Sequence, residues 1–313
     1  MEPITFTPLY MTRVWGGRTL AEKYRRPLPD EQPYGESWEI SDREDEMSVV
    51  SEGPLKGRTL HELWTTQREE LFGKGFAEER FPLLFKILDA RDDLSLQVHP
   101  PAFLAGELKG EPKTEVWYIA DCEQDAKLYA GLRTGVTRED FEASLRDGTV
   151  ADQVHVLKPK AGDSIFIPSG RLHAIGAGFL IFEIQQNSDT TYRVFDWNRK
   201  GLDGRPRELH VEESLKSISF DDIEPSLDPQ VDDILVSCPY FKLERLTLAA
   251  ESTVGNPGEQ FSVLTVISGR LLSRGGRTFA AGDFLLLPKG GDDLKAEADT
   301  VVLRTTVPNH SRH

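Results

Sequence analysis

Cysteine is scarce in this chain: 313 residues contain two, Cys122 and Cys238, far apart in the sequence. A disulfide framework and a thiolate zinc site are both excluded. Any metal must therefore be held by histidine, carboxylate or amide oxygen. Positive charge is also in deficit, with 37 Lys and Arg against 52 Asp and Glu, for a formal net charge of −15. That balance argues against nucleic acid or an anionic membrane as a partner. An anionic small molecule would need a local cluster of Lys and Arg inside an otherwise acidic protein. No apolar run approaches the ~20 residues of a membrane span. The opening MEPITFTPLYMTRVW lacks a basic stretch followed by an apolar one, so no secretory signal is expected, and cytoplasm is the expected location.

Helical patterns are few. Thr59 to Phe72 carries apolar residues at helical spacing behind a capping threonine. Thr137 to Leu145 opens with Thr137 and has Asp140 three residues on, and Val211 to Ile218 reads as a third short helix. Strand patterns dominate. Segments 81–88, 94–98, 115–120, 164–167, 179–184 and 192–195 are short, apolar or alternating, and bounded by Gly, Pro and Asp. An acidic, proline-containing stretch, DDIEPSLDPQVDD, reads as a linker. Strands resume at 240–248, 261–267, 270–272, 283–287 and 300–305.

The chain echoes itself. Gly162 to His173 reads GDSIFIPSGRLH and Gly282 to Asp293 reads GDFLLLPKGGDD. Two copies of a strand, a Pro-Gly turn and a following strand predict two related β-domains. Many short strands with frequent turns favour a mainly β sandwich or jelly roll with a few short helices. The expected division is 1–220 and 221–313. The second copy carries Asp293 where the first carries His173, so no metal is expected in the second domain.

Gln97 and His99 lie two apart at the end of an apolar strand, LSLQVHPP, so their side chains share one face. Glu115 starts another strand in KTEVWYI, with Lys113 two positions before it on the same face, and His173 follows the Pro168–Gly170 turn. One amide oxygen, two imidazoles and one carboxylate suit zinc and leave a coordination position for water or substrate. His155 and His210, by contrast, stand in surface-like contexts. Glu183 and Gln185 alternate with apolar residues and should share a face, and Arg193 is flanked by aromatics in TYRVFDW. Lys113, Arg171 and Arg193 fall within the metal-bearing segments and make the local cationic cluster that an anionic substrate requires.

The G-x5-P-x-G-x2-H pattern ending at His173 resembles the second motif of the cupin superfamily, with Ala177 where an Asn is usual. More specifically, RVWGG, YGESWEIS, FPLLFKILDARDDLSLQVHPP, KTEVWYI, GDSIFIPSGRLHAIG and EIQQNSDTTYRVFDW together resemble the short bacterial form of the type I mannose-6-phosphate isomerases. The match is dense over residues 4–200 and looser beyond. The resemblance implies two cupin-type jelly rolls and one zinc per chain on Gln97, His99, Glu115 and His173. It implies a catalytic Arg193, a pocket-lining Lys113 and an active-site carboxylate at Glu183, with Trp15 bordering the same pocket. The implied reaction interconverts mannose 6-phosphate and fructose 6-phosphate, and a monomer or weak dimer is expected. An aldose–ketose exchange moves a proton between C1 and C2 through a cis-enediol(ate), which needs an acid–base group and a cation for the developing oxyanion.

Glu183, Lys113, His99 and a metal-bound water all stand as candidates for the proton carrier, His99 last because a nitrogen bound to metal makes a poor base. His99, Glu115 and His173 alone would also suit an iron oxygenase with a two-His, one-carboxylate site, against which Gln97 and the cationic cluster count. A sugar-binding cupin without activity would need neither the metal nor Lys113 and Arg193.

Overall fold

Short runs rich in Leu, Ile, Val and Phe, closed by Gly, Pro or Asp, form strands here as β propensity and turn chemistry dictate. The computed structural model describes residues 1–308, in which twenty strands outweigh six α-helices. The longest helix, Arg138–Asp147, has ten residues; Thr137 and Asp140 close a capping box at its start, and Gly148 ends it in the left-handed region. The chain is a mainly β protein built on cupin-type jelly rolls.

Contacts divide it into two units. One comprises Tyr10–Ser37 and Phe85–Asp228, the other Met1–Leu9, Trp38–Leu84 and the residues from Pro229 onward. A linear division at 220 does not describe this, because residues 38–84 pack with the C-terminal part: Trp64, Phe72 and Phe81 form an aromatic cluster with Phe261. The acidic stretch after Asp221 stays on the first unit as far as Asp228, whose backbone N–H donates to Ser164.

The first unit is a sandwich. One sheet has six strands in the order Leu9–Gly17, Tyr34–Ile40, Leu83–Ala90, Phe179–Gln186, Glu115–Cys122, Ser164–Ile167. The other has five, in the order Tyr192–Phe195, Leu96–Val98, His173–Ile175, Leu128–Leu132, Val154–Leu157. Trp15, Leu88, Trp117, Ile119, Leu128, Ile175 and Ile181 fill the space between them. Leu96, Val98, Leu172, Ala174 and Val194 point the other way, into a second core with Phe141 and Ile218. Period-two alternation thus turns Gln97, His99 and His173 inward. The other unit repeats the sandwich, with Leu264, Leu285 and Val302 of a five-stranded sheet facing Leu271, Phe279 and Leu294 of a four-stranded one.

The helix expected over 59–72 is two pieces, Leu60–Thr66 and Arg68–Leu71. Thr65 and Thr66 bond back to carbonyls of the preceding turn, which weakens the helix at that point, and Gln67 leaves helical geometry. Leu9–Gly17 and Tyr34–Ile40, which the local pattern did not mark as strands, are two of the six in the main sheet. Their glycines have a packing reason: a Cβ on Gly35 would lie 2.6 Å from the Trp15 ring, and one on Gly16 would lie 2.3 Å from the Gly35 nitrogen.

Candidate active site

Three strands position the candidate metal-binding side chains. Leu96–Val98 pairs antiparallel with His173–Ile175, placing Gln97 opposite His173. Gly170, in the left-handed region at φ 90°, turns the chain so that its N–H donates to the carbonyl of His99 at 2.9 Å. Glu115 comes from the facing sheet, one step along the inner row from Trp117, where Gln185 opposes it and Glu183 opposes Trp117.

His99, Glu115 and His173 converge and are fully buried. His99 Nε2 is 3.6 Å from one Glu115 oxygen and His173 Nε2 is 3.5 Å from the other. Each imidazole is oriented from behind. His99 Nδ1–H donates to the carbonyl of Thr190 at 2.8 Å, and His173 Nδ1–H donates to that of Arg171 at 2.9 Å. Both Nε2 lone pairs are thereby turned toward the carboxylate. Burial, then the Lys113 charge, lowers the His99 pKa, and burial, then His99, pushes that of His173 down to about 3. Both rings are neutral near pH 7, as metal ligation requires.

The donor set fits a divalent ion. His99 Nε2 and Glu115 Oε1 are buried without a hydrogen-bond partner, and Glu115 Oε2 is ion-paired with Lys113, an arrangement that costs free energy unless something is shared between the two unpartnered atoms. Ligands about 2.0–2.1 Å from a tetrahedral centre stand about 3.3–3.4 Å apart, close to the separations present. Gln97 turns its amide nitrogen to His173 Nε2 at 3.3 Å and its oxygen to Ser95; an amide flip would present the oxygen to the shared centre. Among the described residues no other group of three His, Cys, Asp or Glu gathers in this way.

Beside this group opens a cavity of about 600 Å³ lined by Trp15, Gln97, Lys113, His173, Glu183 and Arg193 among others. Trp15 is almost wholly buried and forms its wall. The Lys113 ammonium lies 2.9 Å from Glu115. Burial acts to lower the Lys113 pKa, but Glu115 and then Glu183 outweigh it and hold it above the usual lysine range. Burial likewise acts to raise the Glu115 pKa, and Lys113, followed by His99, holds it well below the usual range. Glu183 accepts from the Trp117 indole at 3.0 Å; burial first, then the Glu115 charge, pushes its pKa up to about 7.

Charged residues absent from the sequence reading also line the cavity, among them Arg13, Glu36 and Lys86. They extend a row of alternating charge across neighbouring strands. Arg13 meets Glu36 at 2.9 Å, and Lys86 stands 3.7 Å from Glu36 and 3.5 Å from Glu183. Glu36 and Lys86 occupy inward faces that are otherwise apolar (Tyr34, Trp38 and Ile40; Leu84, Leu88 and Ala90), a signal that period-two reading of YGESWEI and LLFKILDA offers. Two expectations are corrected. Arg171 does not line the cavity; its guanidinium forks onto Asp222 with two 2.8 Å bonds. His210 is not a surface residue of bland context: it lines the cavity, and its Nδ1 accepts from the backbone N–H of Arg193.

Comparison with known proteins follows the same lines. Residues 4–113 match the family model "Phosphomannose isomerase type I, catalytic domain". The chain is 38% identical over 311 residues to the mannose-6-phosphate isomerase ManA of Bacillus subtilis, covering 95% of this chain and 96% of that protein. It is 36% identical to the mannose-6-phosphate isomerase of Streptococcus mutans, over 96% of this chain and 97% of that one. The chain belongs to the type I mannose-6-phosphate isomerase family. A crystal structure of the Bacillus subtilis mannose 6-phosphate isomerase superposes with a TM-score of 0.88 at 32% identity, covering 98% of this chain and all of that one. Membership of this isomerase family makes the chain an enzyme. No helix among the described residues is long and apolar enough to cross a membrane.

Proposed function

We propose that this enzyme interconverts mannose 6-phosphate and fructose 6-phosphate, with one zinc ion per chain held by Gln97, His99, Glu115 and His173. The observation that carries the reading is the buried convergence of His99, Glu115 and His173, with His99 Nε2 and Glu115 Oε1 unpartnered, beside a cavity that also holds Glu183, Lys113 and Arg193. Zinc bound there supplies a Lewis acid for the oxygens on C1 and C2 without redox chemistry.

The protein's own residues supply the rest. Lys113, held protonated, is a poor base and serves as a fixed positive charge beside the developing enediolate. The two imidazoles are engaged at both nitrogens once a metal is bound, which leaves neither free to carry a proton. Glu183, with a pKa near neutrality, is poised to take the proton from C2 and return it at C1, or the reverse. Trp117 and Lys86 hold its carboxylate in place. Arg193, fixed by Ser95 and the carbonyl of Glu208, orients the substrate chain. Trp15 closes the wall against water. The second jelly roll, with Asp293 in place of a ligand histidine, serves structure without metal, and the protein works in the cytoplasm as a monomer or weak dimer, without nucleic acid or membrane partners.

A coupled assay on mannose 6-phosphate, with metal analysis alongside, tests the proposal. Chelation and His173→Ala should each abolish both zinc and turnover, and zinc should restore only the chelated protein. Arg193→Ala should keep the metal and lose turnover. Iron with oxygen uptake, or full turnover after chelation, would sink it.

A further inference from the structure

The second jelly roll has a cavity of its own, at the place where the first gathers His99, Glu115 and His173. Cross-strand pairing aligns the two. In the first, Glu115 opposes Ile167 and Trp117 opposes Glu183. In the second, Ser262 opposes Leu287 and Leu264 opposes Arg304. On the facing sheets, Gln97 opposes His173 and Val254 opposes Leu294. Leu264, Leu287, Val254 and Leu294 all belong to the core between the sheets, so these positions face inward in both sandwiches. Ser262 thus stands at the place of Glu115, Val254 at that of Gln97 and Leu294 at that of His173. Asn256, two residues past Val254, takes the place of His99. Asp293, which the sequence echo sets against His173, is one step away on the exposed rim.

The exchange removes the ligands and keeps a cavity. The Ser262 hydroxyl donates to the Asn256 side-chain oxygen, and Asn256 Nδ2 donates to the carbonyls of Leu287 and Pro288, so these polar groups satisfy one another. Beside them lies a cavity of about 400 Å³, lined by Leu246, Leu248, Val254, Asn256, Asp293 and Arg304 among others, a volume in the range of small-molecule sites. It shares no lining residue with the cavity that holds Lys113 and Glu183.

Arg304 occupies the counterpart of the Glu183 position, and its hydrogen bonding is half used. Its Nε donates to Glu244 at 2.9 Å, and Glu244 also accepts from Lys242 at 2.8 Å. Both Nη groups of Arg304 are without a partner among the described residues. Two lining carboxylates, Asp233 and Asp293, are likewise unengaged among the described residues. Asp293 folds across Gly255, where a Cβ would lie 1.8 Å from its Oδ1; the glycine makes room for the carboxylate.

These groups select by charge. Two carboxylates at the cavity of a protein with net charge −15 oppose an anion, and the Arg304 guanidinium opposes a cation. An uncharged molecule carrying several hydroxyls suits both, since each hydroxyl can accept from a guanidinium and donate to a carboxylate. Leu246, Leu248 and Val254 offer an aliphatic surface to its C–H faces. We infer that the second jelly roll, beyond its structural role, binds an unphosphorylated sugar in this cavity, with Arg304 as donor and Asp293 as acceptor.

Methyl mannoside is the probe, because it carries no phosphate and its ring cannot open to be isomerised. Titrated into the zinc-loaded full chain, it should shift the methyl NMR signals of Leu246, Leu248 and Val254. Arg304→Gln and Asp293→Asn should each weaken that binding about ten-fold or more, as loss of a charge-assisted hydrogen bond does, while zinc content and turnover of mannose 6-phosphate stay at wild-type levels. Asp293 is exposed, so its variant tests the site with the fold intact. Silent methyls at saturating sugar would overturn the inference, as would shifts that persist unchanged in both variants. Tighter binding of inorganic phosphate or of glycine at the same methyls would make this an anion or zwitterion site and overturn it equally.

Discussion

Replacing Lys113 with methionine probes the electrostatic logic of the metal group without an activity assay. The Lys113 ammonium and the Glu115 carboxylate are 2.9 Å apart, with side chains 5% and 1% exposed. Removing one partner of a buried pair strands the other, at a cost of about 3–5 kcal/mol. A divalent cation on His99, Glu115 and His173 would cover the same carboxylate, so the cost should apply to the metal-free protein and largely vanish in the zinc-loaded one. Heating chelated Lys113→Met should therefore lower its Tm by on the order of 5–10 °C relative to chelated wild type, with a shift of only a few degrees when both carry zinc.

The pH dependence supplies a sign to check. In wild type the Glu115 pKa is held low, so its contribution is present above the unfolded carboxylate value and is lost as pH falls through the folded one. Without Lys113, burial dominates and raises the folded pKa. The folded state then binds the extra proton, and the penalty grows as pH rises from the unfolded value toward the folded one. Chelated Lys113→Met should thus gain stability between pH 7 and pH 5 relative to wild type. Equal destabilisation with and without zinc would refute the reasoning.

Glu183→Gln should keep zinc and fold while kcat falls about a hundred- to ten-thousand-fold, the usual share of a general acid–base group. Because Glu183 must be ionised to accept a proton, wild-type rate should climb with pH up to about 7, or lower once a cation offsets Glu115. That limb should be missing from the residual activity of the variant, and its persistence would remove Glu183 from the role. Gly35→Ala places a methyl 2.6 Å from Trp15 and from the Arg13 Cβ, so a loss of about 1–3 kcal/mol from overpacking is expected. Urea unfolding reads this directly, and a neutral result would mean that Trp15 can move.

Much of the site was legible because its signals are local. Gln97 and His99 share a face through strand alternation alone, and the Pro168–Gly170 turn marks His173 as the start of a new strand. The capping box at Thr137 and Asp140 set a helix start that the fold keeps. The internal echo announced two β-sandwiches, and its altered last residue separated His173 from Asp293. None of these readings requires knowledge of which strand lies beside which.

Tertiary structure decided what depends on neighbours remote in sequence. Arg13, Glu36, Lys86 and Glu183 form one row only because strands starting at residues 9, 34, 83 and 179 lie side by side. Arg171 shares a segment with His173 yet is drawn to Asp222, and His210 enters the cavity because the chain returns past Arg193. Residues 38–84 joined the C-terminal sandwich because their aromatic side chains are buried with Phe261. The sequence by itself determined the strand periods, the turns and which side chains at 97 and 99 share a face, since those follow from alternation and backbone geometry over a few residues. Only the closed sheets decided which charges neutralise one another, because that depends on distances across strands that no local pattern encodes.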